Sequence, residues 1–229
     1  MKILAIGAHP DDIEIFMYGI LSIYKNLGNK LYLLISTDGA LGGKDVYNNL
    51  IDMRRKETET GLKNLGKPIF LNIPDGNLGN DIEHKIIIKE QIDYISPDLI
   101  ITHYHRDYHS DHIKLSNLVK EIISHYIPIL YCDTMMGLNF NPDYYVDITK
   151  HFDDKVNAIM CHKSQSPKKF VKLAKLMNRY RAAQCNANDE NFAEAYKFEK
   201  NFPFSDIRDF LPNPPKIQTF HIGKKGGFL

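Results

Sequence analysis

Apolar positions along the chain follow two alternating rhythms. Residues 2–8 form an almost unbroken apolar run ended by His9-Pro10, which reads as a strand buried on both faces. Asp11-Asp12 then opens a stretch in which Ile13, Ile15, Phe16, Ile20, Leu21 and Tyr24 share roughly one helical face. The acidic pair suits the positive end of that helix. Residues 31–36 are a second strand, and 50–65 a helix with Gly66 placed to close it. Residues 68–73 are a third strand, leading into the turn Pro74-Asp75-Gly76-Asn77. The alternation continues with a helix over 82–95, a strand over 98–102, a helix over 112–125 and a strand over 127–132. Past Asp147 the rhythm changes. Helices are expected over 153–161 and 167–187, and a proline-spaced tail reads as loop with a short strand at 218–222.

Strand alternating with helix predicts an α/β chain: a Rossmann-like three-layer fold with a mostly parallel sheet and a C-terminal helical and loop elaboration. The 229 residues suit one large domain, with a core over 1–147 and the elaboration over 148–229. No G-x-G-x-x-G follows the first strand and no G-x-x-x-x-G-K-[ST] occurs, so a dinucleotide or P-loop reading loses its main support.

Charge and cysteine content narrow the partners. Lys+Arg (29) nearly balances Asp+Glu (28), so nothing in the net charge favours nucleic acid or an anionic membrane. Cys132, Cys161 and Cys185 are scattered, with no CxxC pair, which fits a reducing compartment. The first apolar run is too short for a signal peptide or a membrane span, so a cytoplasmic protein is expected.

Ligands of open α/β sheets bind outside the carboxyl ends of the strands. Two clusters of metal-ligand residue types fall at such places: His9 to Glu14 after the first strand, and His103 to His112 after the fourth. Strands one and four can be neighbours in a doubly wound sheet, so both clusters can face one pocket. A catalytic Zn²⁺ takes three protein ligands and leaves a position for water. A His and a carboxylate from the first cluster with a His from the second supply that set. A further carboxylate can serve as general base, and a further His can stabilise an oxyanion. Spacing alone does not say which His binds metal. His-Pro-Asp-Asp also suits an ordinary strand-to-helix turn, and Asp75 a turn former.

The motifs resemble those of the LmbE-like (PIG-L) N-acetylglucosaminyl deacetylases. Their A-H-P-D-D-x-E signature stands intact as Ala8 to Glu14. Their H-P-D-H appears as His109-Ser110-Asp111-His112, with Ser for Pro. Arg54 to Glu57, Pro74-Asp75-Gly76, the stretch Lys155…His162-Lys163-Ser164-Gln165 and Phe192 to Tyr196 are similar to weaker family motifs. The resemblance implies removal of an acetyl group from an N-acetylglucosamine-type sugar or its conjugate. It implies one Zn²⁺ per chain held by His9, Asp12 and His112; a His₂-carboxylate set can also hold Fe²⁺. Asp11 would be the general base. His109 would stabilise the oxyanion or protonate the amine, with Asp111 orienting it, and Arg54 would contact substrate. Relatives of this kind are often homo-oligomers. The alternatives are a metal-dependent amidase for another N-acyl substrate and a non-catalytic metal- or sugar-binding module.

Overall fold

The structure is a computed structural model, and it describes residues 1–43, 49–123, 126–200 and 210–216. Five strands form a parallel sheet: β1 (Lys2–Gly7), β2 (Lys30–Thr37), β3 (Pro68–Ile73), β4 (Leu99–Thr102) and β5 (Ile129–Cys132). Two more, β6 (Tyr144–Asp147) and β7 (Ala193–Phe198), extend it, giving the order β3-β2-β1-β4-β5-β7-β6. β7 is antiparallel to both of its neighbours. The α/β, mostly parallel architecture is the expected one.

Period-two alternation explains why the central strands read as solid apolar runs. Ile3 and Ala5 of β1 face one core, and Leu4 and Ile6 face the other. The first core is covered by α1 (Asp12–Phe16), α2 (Tyr18–Asn26), α6 (Phe152–Ile159) and α7 (Pro167–Gln184), through Ile20, Leu21, Tyr24, Phe152, Ile159 and Met177. The second is covered by α4 (Ile82–Ile95) and α5 (Ser110–Ile123), through Ile88, Ile92, Ile95, Leu115, Val119 and Ile123. The remaining helix, α3 (Leu50–Gly61), runs over the carboxyl end of the sheet and buries Arg54 and Thr58.

Several expectations shift. The single helix expected from Asp11 to Tyr24 is broken at Met17, whose φ of −131° leaves the helical region. The helix expected over 50–65 stops at Gly61, and turns carry the chain to Gly66. β6 and β7 were not expected. β7 lies between two strands, so Ala193, Glu194, Ala195 and Tyr196 are all buried and no apolar–polar alternation marks it. The strand expected over 218–222 lies outside the described residues. Among the described residues, no helix is long and apolar enough to cross a membrane.

Candidate active site

From β1 the chain builds outward through β2 and β3 on one side, then crosses back from β3 to β4 on the other, which opens a crevice at the carboxyl ends of β1 and β4, the switch point of this sheet order. A cavity of about 370 Å³ lies there. It is lined by His9, Asp11, Asp12, Arg54, Asp75, His109, Asp111 and His112, so all seven residues singled out from the sequence meet in one place. Ile15, Phe16, Leu41, Met135 and Phe170 add apolar wall.

Asp12 is the hub. Its Oδ2 accepts the His9 backbone N–H at 2.7 Å and lies 3.4 Å from His9 Nδ1. Its Oδ1 lies 3.3 Å from His112 Nε2, and Oδ2 lies 3.0 Å from His103 Nε2. Burial pushes the Asp12 carboxyl up, yet the His112 and His103 imidazoles outweigh it and hold the group well below the usual carboxylate range. His112 shows the reverse balance: burial opposes its charge, but Asp12 and Asp107 raise it to about 9. His9 is likewise raised, against burial, by Asp111, Asp12 and Asp75.

The residues present fit a divalent cation. One ring nitrogen from each of His9, His109 and His112 lies within 4.8 Å of the others, as do single ligand atoms of Asp12, His103 and His112, and of His9, Asp75 and Asp111. His9 Nδ1 lies 3.4 Å from Asp12 Oδ2 and His112 Nε2 lies 3.3 Å from Asp12 Oδ1, so the two histidines face the two oxygens of one carboxylate. Each of these two histidines turns its other nitrogen to a carboxylate. His112 Nδ1 faces Asp107 Oδ2 at 3.1 Å, and His9 Nε2 faces Asp75 Oδ1 at 3.2 Å. A carboxylate behind the ring is the usual partner of a metal-bound histidine.

Asp11 stands beside this group. It begins α1 at φ 125°, a left-handed conformation that costs a non-glycine residue about 1–3 kcal/mol and tends to occur at functional sites. Arg54 secures it: Nη2 donates to Pro10 O at 2.6 Å and to Asp11 Oδ2 at 3.2 Å, and Nη1 donates to Gly39 O at 2.8 Å. Arg54 is therefore a buried residue of α3, on the cavity wall and engaged with Asp11, not an exposed helix arginine. Burial raises the Asp11 carboxyl to about 6; Arg54 counters this and Asp12 adds to it. His109 Nδ1 accepts the Asp111 backbone N–H at 3.2 Å, which assigns the ring proton to Nε2. Burial, then His9 and His112, push its pKa down, so the ring is held neutral. The Asp111 carboxylate itself meets the Gly76 N–H at 3.0 Å and His9 Nε2 at 3.4 Å.

Sequence reading left three participants unranked or unseen. His103 is fully buried, stacked on His112 with ring centroids 3.7 Å apart and in contact with Asp12. Its place directly after β4 was the available signal. Asp107 sits in the same cluster. Asp75, read as a turn former, reaches His9. Behind α1, the His162 ring lies 2.8 Å from Glu14 Oε1, and both residues are buried.

Known proteins resemble this chain in sequence and in fold. The sequence profile of PIG-L, described as GlcNAc-PI de-N-acetylase, matches residues 4–123. YaiS, an uncharacterized deacetylase of Escherichia coli (strain K12), is 29% identical over 178 residues, 71% of this chain and 90% of its own. N,N′-diacetylchitobiose deacetylase from Pyrococcus horikoshii shares the fold with a TM-score of 0.77 at 23% identity, over 90% of this chain and 88% of that one. So does GalB, the 4-carboxy-2-hydroxymuconate hydratase from Pseudomonas putida KT2440, with a TM-score of 0.78 at 19% identity, over 90% and 98%. Both structural likenesses speak to fold alone. The profile takes in β1 through α5, and with them both clusters that line the cavity, so this chain belongs to the PIG-L family of de-N-acetylases.

Proposed function

We propose that this chain is a zinc-dependent hydrolase that removes the acetyl group from an N-acetylglucosamine-type amino sugar or its conjugate. The observation that carries the reading is Asp11: a buried carboxyl on the cavity wall, raised to about 6, beside the ligand-type cluster and outside its trios. A non-catalytic metal module has no use for such a group, whereas a hydrolase needs a base poised near neutral pH. Family membership supports the acetamide as substrate.

His9, Asp12 and His112 would hold the cation, with His103 packed against them. When bound, it polarises the substrate carbonyl and lowers the pKa of water. Asp11 accepts the proton of the attacking water, and the Arg54 fork keeps its carboxylate aimed at the cavity. His109 Nε2–H points its proton at the oxygen that becomes negative in the tetrahedral intermediate. The proton taken up by Asp11 then passes to the leaving nitrogen, giving acetate and a free amine. Arg54 lines the cavity and contributes a positive wall to substrate as well as its hold on Asp11.

Acetate release from N-acetylglucosamine and its conjugates, measured with chelator and with restored Zn²⁺, tests the reading. Chelator-sensitive release is expected. Asp11→Asn should keep metal binding and lose about 10²–10⁴-fold in turnover. Wild-type turnover in that variant would remove Asp11 as the base. A metal-loaded wild type that deacetylates no member of the panel would point to another N-acyl substrate.

A further inference from the structure

We infer that Asp75 is a positioning residue for His9: it receives the His9 Nε2–H and thereby turns Nδ1 toward Asp12 and the cation. The inference rests on the metal reading above. Its evidence is the way the Pro74-Asp75-Gly76 turn is built.

A turn-forming Asp normally bonds the backbone of its own turn, two residues on. The Asp75 side chain does something else. Its Oδ2 accepts the Leu41 N–H at 3.0 Å, from the loop after β2. That bond fixes the carboxylate plane and leaves Oδ1 facing His9 Nε2 at 3.2 Å. The turn itself is held by other groups. Asn77 N–H donates to Pro74 O at 3.1 Å, and Asp75 N–H donates to Asp38 Oδ1 at 3.1 Å. Gly76 takes the positive φ of 81°. The conformation of the turn therefore does not need the Asp75 carboxylate.

His9 does need a partner at Nε2. The side chain is nine-tenths buried, and no well-aligned bond satisfies that nitrogen. Two carboxylate oxygens lie beside it: Asp75 Oδ1, and Asp111 Oδ2 at 3.4 Å. Asp111 Oδ2 already accepts the Gly76 N–H at 3.0 Å, whereas Asp75 Oδ1 has no competing donor among the described contacts. The layout repeats at the second histidine, where Asp107 Oδ2 backs His112 Nδ1. A neutral imidazole carries one N–H. Placing it on Nε2 against a carboxylate leaves Nδ1 a lone-pair donor, oriented and made more basic.

The test measures Zn²⁺ affinity by chelator competition, and the visible spectrum of the Co²⁺-substituted protein, for wild type, Asp75→Asn and Asp75→Ala. Thermal midpoints of the metal-free proteins are recorded alongside. Asparagine keeps an acceptor but loses the charge, so affinity should fall in the order wild type, Asn, Ala. The full loss should be about 10–100-fold, with a shifted Co²⁺ spectrum, whatever the metal-free midpoints. Unchanged affinity and spectrum with a lowered metal-free midpoint would overturn the inference, leaving Asp75 a turn residue and the metal reading intact. Two equivalents of Zn²⁺ on wild type and one on Asp75→Ala would overturn it in favour of a second cation between His9, Asp75 and Asp111. A wild type that takes up no metal overturns the metal reading as well.

Discussion

Gly39 is what lets Arg54 reach Asp11. Its φ is +68°, and a Cβ there would stand 2.6 Å from Arg54 Nη1 and 2.9 Å from Pro10 Cδ. Gly39→Ala is therefore expected to push the guanidinium off Asp11, to cut kcat and to cost at least about 1 kcal/mol of stability. Its Zn²⁺ affinity should stay near wild type, because the atoms nearest to a Cβ there belong to Arg54 and Pro10 and not to His9, Asp12 or His112. Steady-state kinetics beside chelator competition check the split, and a loss confined to metal affinity would refute it. At this scale the sequence was informative where side chains are neighbours in the chain. His9, Asp11 and Asp12, and likewise His109, Asp111 and His112, each fall within a run of four residues whose types announce their chemistry. The pairings Arg54–Asp11 and Asp75–His9 were not legible, because each joins side chains that only the sheet crossovers bring together. His103 was visible as a histidine after a strand. Nothing in its spacing said that it stacks on His112.

Elements were legible where burial on two faces produced unbroken apolar runs, as in β1, β2 and β4. β7 escaped notice because its buried face carries a glutamate, which no alternation rule assigns to a central strand. That glutamate ties distant elements together. Glu194 Oε1 accepts the Gly19 N–H at 2.9 Å and Lys155 Nζ at 2.7 Å; Oε2 accepts the Ile20 N–H at 2.8 Å and the Tyr196 hydroxyl at 2.6 Å. It thus joins β7 and α6 to the amino end of α2, where free N–H groups favour a negative charge. α2 follows α1 after a single residue, so the same contact braces the helix that carries Asp12. Lys155 and Glu194 are both buried, and removing one partner leaves the other charge uncompensated. Glu194→Ala and Glu194→Gln both remove the charge that Lys155 faces, so each should lose about 3–5 kcal/mol in urea unfolding. A markedly smaller loss in Glu194→Gln, which keeps the shape and one acceptor, would show that the charge is not what matters there.

The whole molecule places its chemistry by topology. In the order β3-β2-β1-β4-β5, chain direction across the sheet reverses between β1 and β4, and both clusters hang over that gap. The same fold serves a hydratase and a chitobiose deacetylase, so topology supplies the crevice and the side chains supply the reaction. In this crevice the side chains concentrate negative charge. Asp11, Asp12, Asp75, Asp107 and Asp111 surround His9 and His112 with little water to screen them. A divalent cation bound to the folded state alone relieves that repulsion and stabilises the fold by mass action, by about 4 kcal/mol at a free concentration a thousandfold above its dissociation constant. Chelator-treated protein is therefore expected to melt lower than the protein with Zn²⁺ restored, the rise saturating at one equivalent per chain. His112→Ala removes one of the three ligands proposed above, so its own metal-dependent rise should largely vanish whatever its metal-free midpoint. The comparison is made within each variant, which cancels any cost of losing the ring that packs on His103. A full rise in His112→Ala would mean that the cation sits elsewhere in the crevice, and His9 with the Asp75 and Asp111 carboxylates would be the place to look for it.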